Sequence, residues 1–185
     1  MSVLRAARTL GRASGWTLSN LAMQKTLYIA QMIHLAGNGL PLFAEPFEAW
    51  DFGPAVHTLH RAAKRFGRSP VQDVFNAPEL EASSTEAIAI KEAWEMARLM
   101  SPGQLINYTH RPGGAWEQVY QEEALRVVIP NELIRREWDP AARASDDAVS
   151  WAMEMAGQIE KSPSRYMDFE DERSFRTRVC EEHIH

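Results

Sequence analysis

Residues 23–54, MQKTLYIAQMIHLAGNGLPLFAEPFEAWDFGP, constrain the fold more than any other stretch of this chain. Thr17 or Ser19 can cap the first N–H groups of a helix, because a short side-chain oxygen accepts there. Leu18, Leu21, Ala22, Ile29, Met32, Ile33 and Ala36 then recur at helical spacing. Met23, Leu27 and Ala30 widen the apolar arc, so the helix belongs in the centre of the protein. Gly37-Asn38-Gly39 stops it, since Gly and Asn tolerate the left-handed backbone that closes a helix. Pro41 and Pro46 exclude helix from Leu40 to Phe52. Residues 42–53 therefore hold at most a short β hairpin. Gly53-Pro54 is expected to start the next helix, with proline at its first position.

The remaining elements read as helices separated by Gly and Pro. Leu4, Ala7 and Leu10 mark a first helix. Val56, Leu59, Ala63 and Phe66 are the buried stripe of the helix that Gly67 ends, and residues 68–82 are a loop. Ser83 with Glu86 reads as a capping box for a helix burying Ala87, Ile90, Trp94 and Ala97. Ser101-Pro102-Gly103-Gln104 reads as a second box with proline at the first helical position. Arg111-Pro112-Gly113-Gly114 forms a tight loop, and Trp116 starts a short helix reaching about Glu123. Ile129 to Trp138 gives one helix and Ser145 to Ile159 another. The expected fold is mainly α, a compact bundle of about seven helices. Its divisions are a basic N-terminal segment, 1–17, a helical domain, 18–138, and a C-terminal helical extension with a charged tail, 139–185.

Composition excludes several classes of function. A net charge of −5 argues against a non-specific nucleic-acid binder, which needs a basic footprint. The single cysteine, Cys180, leaves no intramolecular disulfide and no Cys-rich zinc site, which fits a reducing cytoplasm. No apolar run approaches the ~20 residues of a membrane span. The arginines near the N-terminus precede no apolar signal core. The expected location is the cytoplasm, with no membrane partner.

Catalytic chemistry finds little support. His57 and His60 lie three apart on a helix, and His34 and His110 could approach them, with Glu45, Glu48 or Asp51 as further ligands. Such a cluster would make a metal-dependent enzyme, but zinc needs three or four converging ligands and no HExxH is present. There is no G-x-S-x-G elbow and no phosphate-binding glycine loop. The reading is of a non-enzyme with no catalytic residue, metal or cofactor. Arg61, Lys64, Arg65 and Arg68 read as a solvated helix face, with nucleic-acid regulation as the rival. Thr109 could bond back to its own helix. His110 reads as a structural residue that locks the following turn. Trp50 and Trp116 flank Gly/Pro turns and suit either a core or an interface.

Three ordered blocks with kept spacing resemble the Panacea domain family. Its opening helix, of the type L-Q-K-L-L-Y-F-A-Q, corresponds to Met23–Gln31. Its P-L-F follows a small-residue stop, here Gly39 and then Pro41-Leu42-Phe43. Its E-A-W-x-x-G-P-V is Glu48–Val56, and its L-T-H and S-P-W are Tyr108-Thr109-His110 and Gly114-Ala115-Trp116. A closing helix at Ile129–Ile134 is also similar. The resemblance spans about Leu18 to Trp138. Thr26 stands where the family has an apolar residue, Gly114-Ala115 where it has Ser-Pro, and His60 where it often has tyrosine.

The resemblance implies a prokaryotic or phage antitoxin of a toxin–antitoxin system. Such a protein neutralises a toxin encoded nearby by direct contact, and the SocA-like branch acts as a proteolytic adaptor for an AAA+ protease. Candidate partner-binding residues on this reading are Phe47, Trp50, Asp51, Phe52, His57, His60, His110 and Trp116. Residues 139–185 could supply partner specificity or a protease-contacting tail.

Overall fold

The computed structural model describes residues 1–138 apart from Glu123 and Leu125. The expected helix from Ser145 to Ile159 and the charged tail lie outside the described residues. Among the described residues there are seven α-helices and one two-stranded hairpin, the mainly α architecture that the periodicity predicts.

The long helix α2 (Asn20–Asn38) is the axis of the fold. Ser19 caps it by accepting from Ala22 N, and Gly39 closes it at φ +70° with its N–H on Leu35 O. The stop thus falls at the last glycine of the Gly-Asn-Gly run. Every residue from Ala22 to Leu35 is buried. Helices α1 (Val3–Ala13), α4 (Thr85–Ala97), α5 (Pro102–Thr109) and α7 (Asn131–Arg136) pack around it. Val3, Ala6, Ala7 and Leu10 of α1 are fully buried and share one core with Leu27, Ile29 and Met32. The α1 arginines tie down the loop after residue 68. Arg8 meets Asp73 at 3.1 Å and the Ala77 carbonyl at 2.6 Å, and Arg12 meets Glu79 at 3.2 Å.

Cap chemistry holds in one place and shifts in another. Ser101 and Gln104 form the full reciprocal capping box, with Pro102 in the first turn. At α4 the cap is Ser84, one residue later than the Ser83–Glu86 reading, and it accepts from Ala87 N. Helix α6 (Ala115–Val119) stops before Glu123, because the Tyr120 backbone is extended.

The expected helix start at Gly53-Pro54 does not form. Residues Gly53–Ala55 are strand β2, antiparallel to β1 (Glu48–Trp50), and α3 (His57–Ala63) starts after Val56. Gly53 takes φ +87°, which turns the chain back along β1. Pro54 sits opposite Ala49, whose N–H donates outward to Val127 O at 2.8 Å. Neither residue needs a bond from the other, so proline is tolerated there. Ile129 N donates to Phe47 O at 2.8 Å, so residues 127–129 run along the outer edge of β1 and pin it.

Candidate functional site

A central helix cannot bury polar side chains unless their hydrogen bonds are satisfied. In α2 those bonds build the hairpin and everything around it. The Gln24 amide clamps Val56 twice, accepting from its N–H at 2.9 Å and donating to its carbonyl at 3.3 Å. Gln31 accepts from Leu42 N at 2.7 Å and donates to Asn131 at 2.9 Å. His34 donates from Nδ1 to Leu40 O at 2.8 Å, and its Nε2 lies 3.1 Å from the Thr85 hydroxyl. Thr26 satisfies its hydroxyl on Ala22 O at 2.8 Å, which is how a polar residue fits this apolar position.

Lys25 is 2% exposed, and its ammonium donates to the Phe52 carbonyl and, at 3.1 Å, to that of Pro54. It therefore holds the hairpin turn from inside. Next to it, the His110 ring stacks on Trp116 at 4.0 Å and 14°. Trp116 stacks in turn on Tyr120 at 4.5 Å and 22°. The Trp116 indole donates to Trp50 O at 2.8 Å, and the Tyr120 hydroxyl donates to Asp51 Oδ1 at 3.0 Å. A ladder of three stacked rings thus runs from the buried ammonium to the tip of the hairpin.

The proposed binding residues divide on this geometry. Phe47 is 1% exposed and packs edge-to-face on Tyr28 at 5.0 Å, and Trp116 is 4% exposed. Both are core residues. His110 is half-buried within the ladder and caps the end of α5, with its ring set against the hairpin and Trp116, while Thr109 bonds back to Leu105 O and Ile106 O. Trp50, Phe52, His57 and His60 are half-buried and Asp51 is exposed. The Trp50 ring lies 4.9 Å from His60 and 6.3 Å from His57, and its indole donates to Glu48 at 2.8 Å. These five residues form one surface ridge with Tyr120.

Sequence reasoning missed Tyr120, which lies just past the end of α6 on extended backbone. It also missed Lys25, whose signal was a lysine inside an apolar stripe. His34 is remote from His57 and His60 in its bonding, being held between Leu40 and Thr85. Among the described residues no three His, Cys, Asp or Glu side chains converge on a metal position. No described helix is long and apolar enough to cross a membrane.

Burial beside the hairpin gives a measurable pH signature. Burial pushes the Lys25 ammonium down from 10.5 to about 7. Burial first, then the Lys25 charge, pushes His110 from 6.5 down to about 3, against a hydrogen bond with the Phe52 backbone that raises it. A base with a depressed folded pKa binds fewer protons folded than unfolded between its two values, so stability rises with pH across that window. Stability should therefore climb from pH 3 to 6.5 through His110. It should climb again from about pH 7 to 10.5 through Lys25, with a slope approaching about 1.4 kcal/mol per pH unit. Glu137, raised by burial, opposes the acid-side rise; Tyr28, held well above 10.0, opposes the alkaline rise only beyond that value. Urea unfolding of wild type and Lys25→Met across the alkaline window tests this. A flat wild-type curve there, or a slope that survives Lys25→Met, rules it out.

The α2 clamps, the hairpin, His110 and Trp116 all fall within residues 23–117, the stretch matched by the model of the family described as "Antitoxin SocA-like, Panacea domain". Antitoxin SocA of Caulobacter vibrioides (strain NA1000 / CB15N) is 33% identical to the chain over 112 residues, which is 55% of this chain and 60% of that protein. The chain thus spans less than two thirds of the length of this curated relative. No solved structure matches. With more than half of its length matched, and the matched residues forming the clamp between α2 and the hairpin, the chain belongs to the antitoxin SocA-like, Panacea domain family.

Proposed function

We propose that the protein is an antitoxin that neutralises a protein toxin by binding it through the ridge at the hairpin tip. The observation that carries this is the rigid seat of a half-buried tryptophan. Trp50 is held by its own indole on Glu48, by its carbonyl on Trp116, and by the flanking histidines. Binding hot spots favour Trp and Tyr set in such pre-formed positions, because little entropy remains to be lost on association. The family match and the antitoxin relative support the toxin as the class of partner.

Co-expression with the product of the neighbouring reading frame, scoring growth and co-purification, tests the reading. Wild type should restore growth and retain the product. Trp50→Ala should weaken retention roughly thirtyfold, equivalent to ~2 kcal/mol, in a protein that still unfolds cooperatively, although at a lower temperature because Glu48 loses its donor. Undiminished binding by a folded Trp50→Ala protein removes the ridge as the contact. In the finer, adaptor form of this function, the toxin level would fall on co-expression only in cells that carry the AAA+ protease.

A further inference from the structure

Among the described residues, most arginines outside residues 61–68 are bound within the fold. On α1 the arginines are bound internally, as described above, and elsewhere Arg98 pairs with Glu95, Arg111 with Glu137, and Arg135 with Glu132. The segment that follows the hairpin differs. Helix α3 runs directly into a 3-10 turn at Lys64–Phe66. Lys64 and Arg65 follow Arg61 by three and four residues on continuous helical backbone, so these three share one face, and Arg68 comes after Gly67, whose φ of +52° ends the turn. All four are exposed, and no acidic residue occurs between Asp51 and Asp73. Among the described residues no carboxylate pairs with Arg61, Lys64 or Arg65, and the Arg65 guanidinium lies over the Phe66 ring at 5.1 Å. The neighbouring face of α3 carries His57 and His60 against Trp50, so the stripe borders the aromatic ridge.

We infer that this basic stripe is the electrostatic half of the toxin-binding surface and receives an acidic patch on the toxin. The inference rests on the antitoxin reading and names the chemistry of its partner. With a net charge of −5, the chain outside the stripe is more acidic still, so an acidic partner is repelled elsewhere and attracted here. That arrangement orients the encounter and speeds association by tenfold or more at low salt. A nucleic acid fits less well. A duplex binder draws its affinity from a broad basic footprint, and these few cations sit on a chain whose net charge is −5.

The test uses the full chain with Arg61→Glu, Lys64→Glu and Arg65→Glu together, and the product of the neighbouring reading frame as probe. All three side chains are exposed, so the variant should melt within about 2 °C of wild type. Its association rate for the probe at low salt should fall at least tenfold, and most of the wild-type salt dependence should vanish. Binding by the triple variant within twofold of wild type, with Trp50→Ala still defective, overturns the stripe and leaves the antitoxin reading intact. Failure of wild type to retain the probe overturns both. Retention of a DNA duplex with a steep salt slope that the triple variant abolishes, alongside unchanged probe binding, assigns the stripe to nucleic acid and also overturns the inference.

Discussion

Replacing Gly53 with alanine is expected to lower the unfolding free energy by about 3–5 kcal/mol, one of the two largest effects in this protein. The backbone at Gly53 has φ +87°, where a residue with a Cβ is strained by ~1–2 kcal/mol. The new methyl would also stand 1.9 Å from His110 Nε2 and 2.6 Å from Lys25 Nζ. Such crowding is cheap when flexible side chains can swing away, and here they cannot. His110 is stacked on Trp116, and Lys25 is fixed by two buried carbonyls. Moving the ammonium strands the Phe52 and Pro54 carbonyls, at ~1–3 kcal/mol each. Urea unfolding measures the loss. The double variant Gly53→Ala, His110→Ala should cost less than the sum of its parts, because the smaller residue makes room for the methyl. Strict additivity would show that the close approach is not the cause.

This dependence explains how the family's sequence pattern relates to its structure. Gln24, Lys25 and Gln31 look like surface polar residues in a helix, and the periodicity of α2 already marks that helix as central. Those two facts conflict in the sequence, and the hairpin resolves them: each polar side chain serves a backbone group of the segment from Leu42 to Val56. A helix and its caps are local and could be read directly, as with Ser19 and the Ser101–Gln104 box. The strand at Gly53–Ala55 could not be. Pro54 suits a helix start equally well, and only the outward bond of Ala49 to Val127, far along the chain, decides for a strand.

The aromatic residues show the same limit at the candidate site. Phe47, Trp50 and Trp116 lie in similar Gly/Pro surroundings, and large rings serve cores and interfaces alike. What separates them is which side of the hairpin each ring occupies. Phe47 faces Tyr28 and Phe43, Trp116 faces His110, and Trp50 faces the histidines of α3 at the surface. Substitutions at Phe47 or Trp116 therefore report on folding, and the proposed binding surface is tested at Trp50 and at the α3 stripe.

Glu137→Ala should destabilise by a similar amount, about 3–5 kcal/mol, the range for removing one partner of a buried ion pair. The Glu137 side chain is 4% exposed and that of Arg111 is 16% exposed, with Nη2 and Oε2 3.0 Å apart. The same carboxylate accepts from the Tyr28 hydroxyl at 2.8 Å and from the Ala115 N–H. It thereby joins α2, the glycine loop before α6 and the end of α7, elements that sequence spacing could not connect. Alanine leaves the Tyr28 hydroxyl and the Ala115 amide without their acceptor and the Arg111 guanidinium without its counter-charge, although that group keeps the carbonyls of Glu137 and Tyr108. Burial outweighs the Arg111 charge and raises the carboxyl above its ordinary value, so ionised Glu137 is held at a cost relative to water. Because its folded pKa is raised, that contribution is favourable at acid pH and is lost as pH climbs through the folded pKa. Glu137→Gln keeps a carbonyl acceptor for Tyr28 and Ala115 without the charge, so it should cost less than alanine and remove the opposing acid-side slope. The pair Arg111→Met with Glu137→Leu should also cost less than Glu137→Ala alone, since neither charge is then stranded. If the double variant proved the worse of the two, Arg111 and Glu137 would act through separate contacts, and the carboxylate would not be the junction of the three elements.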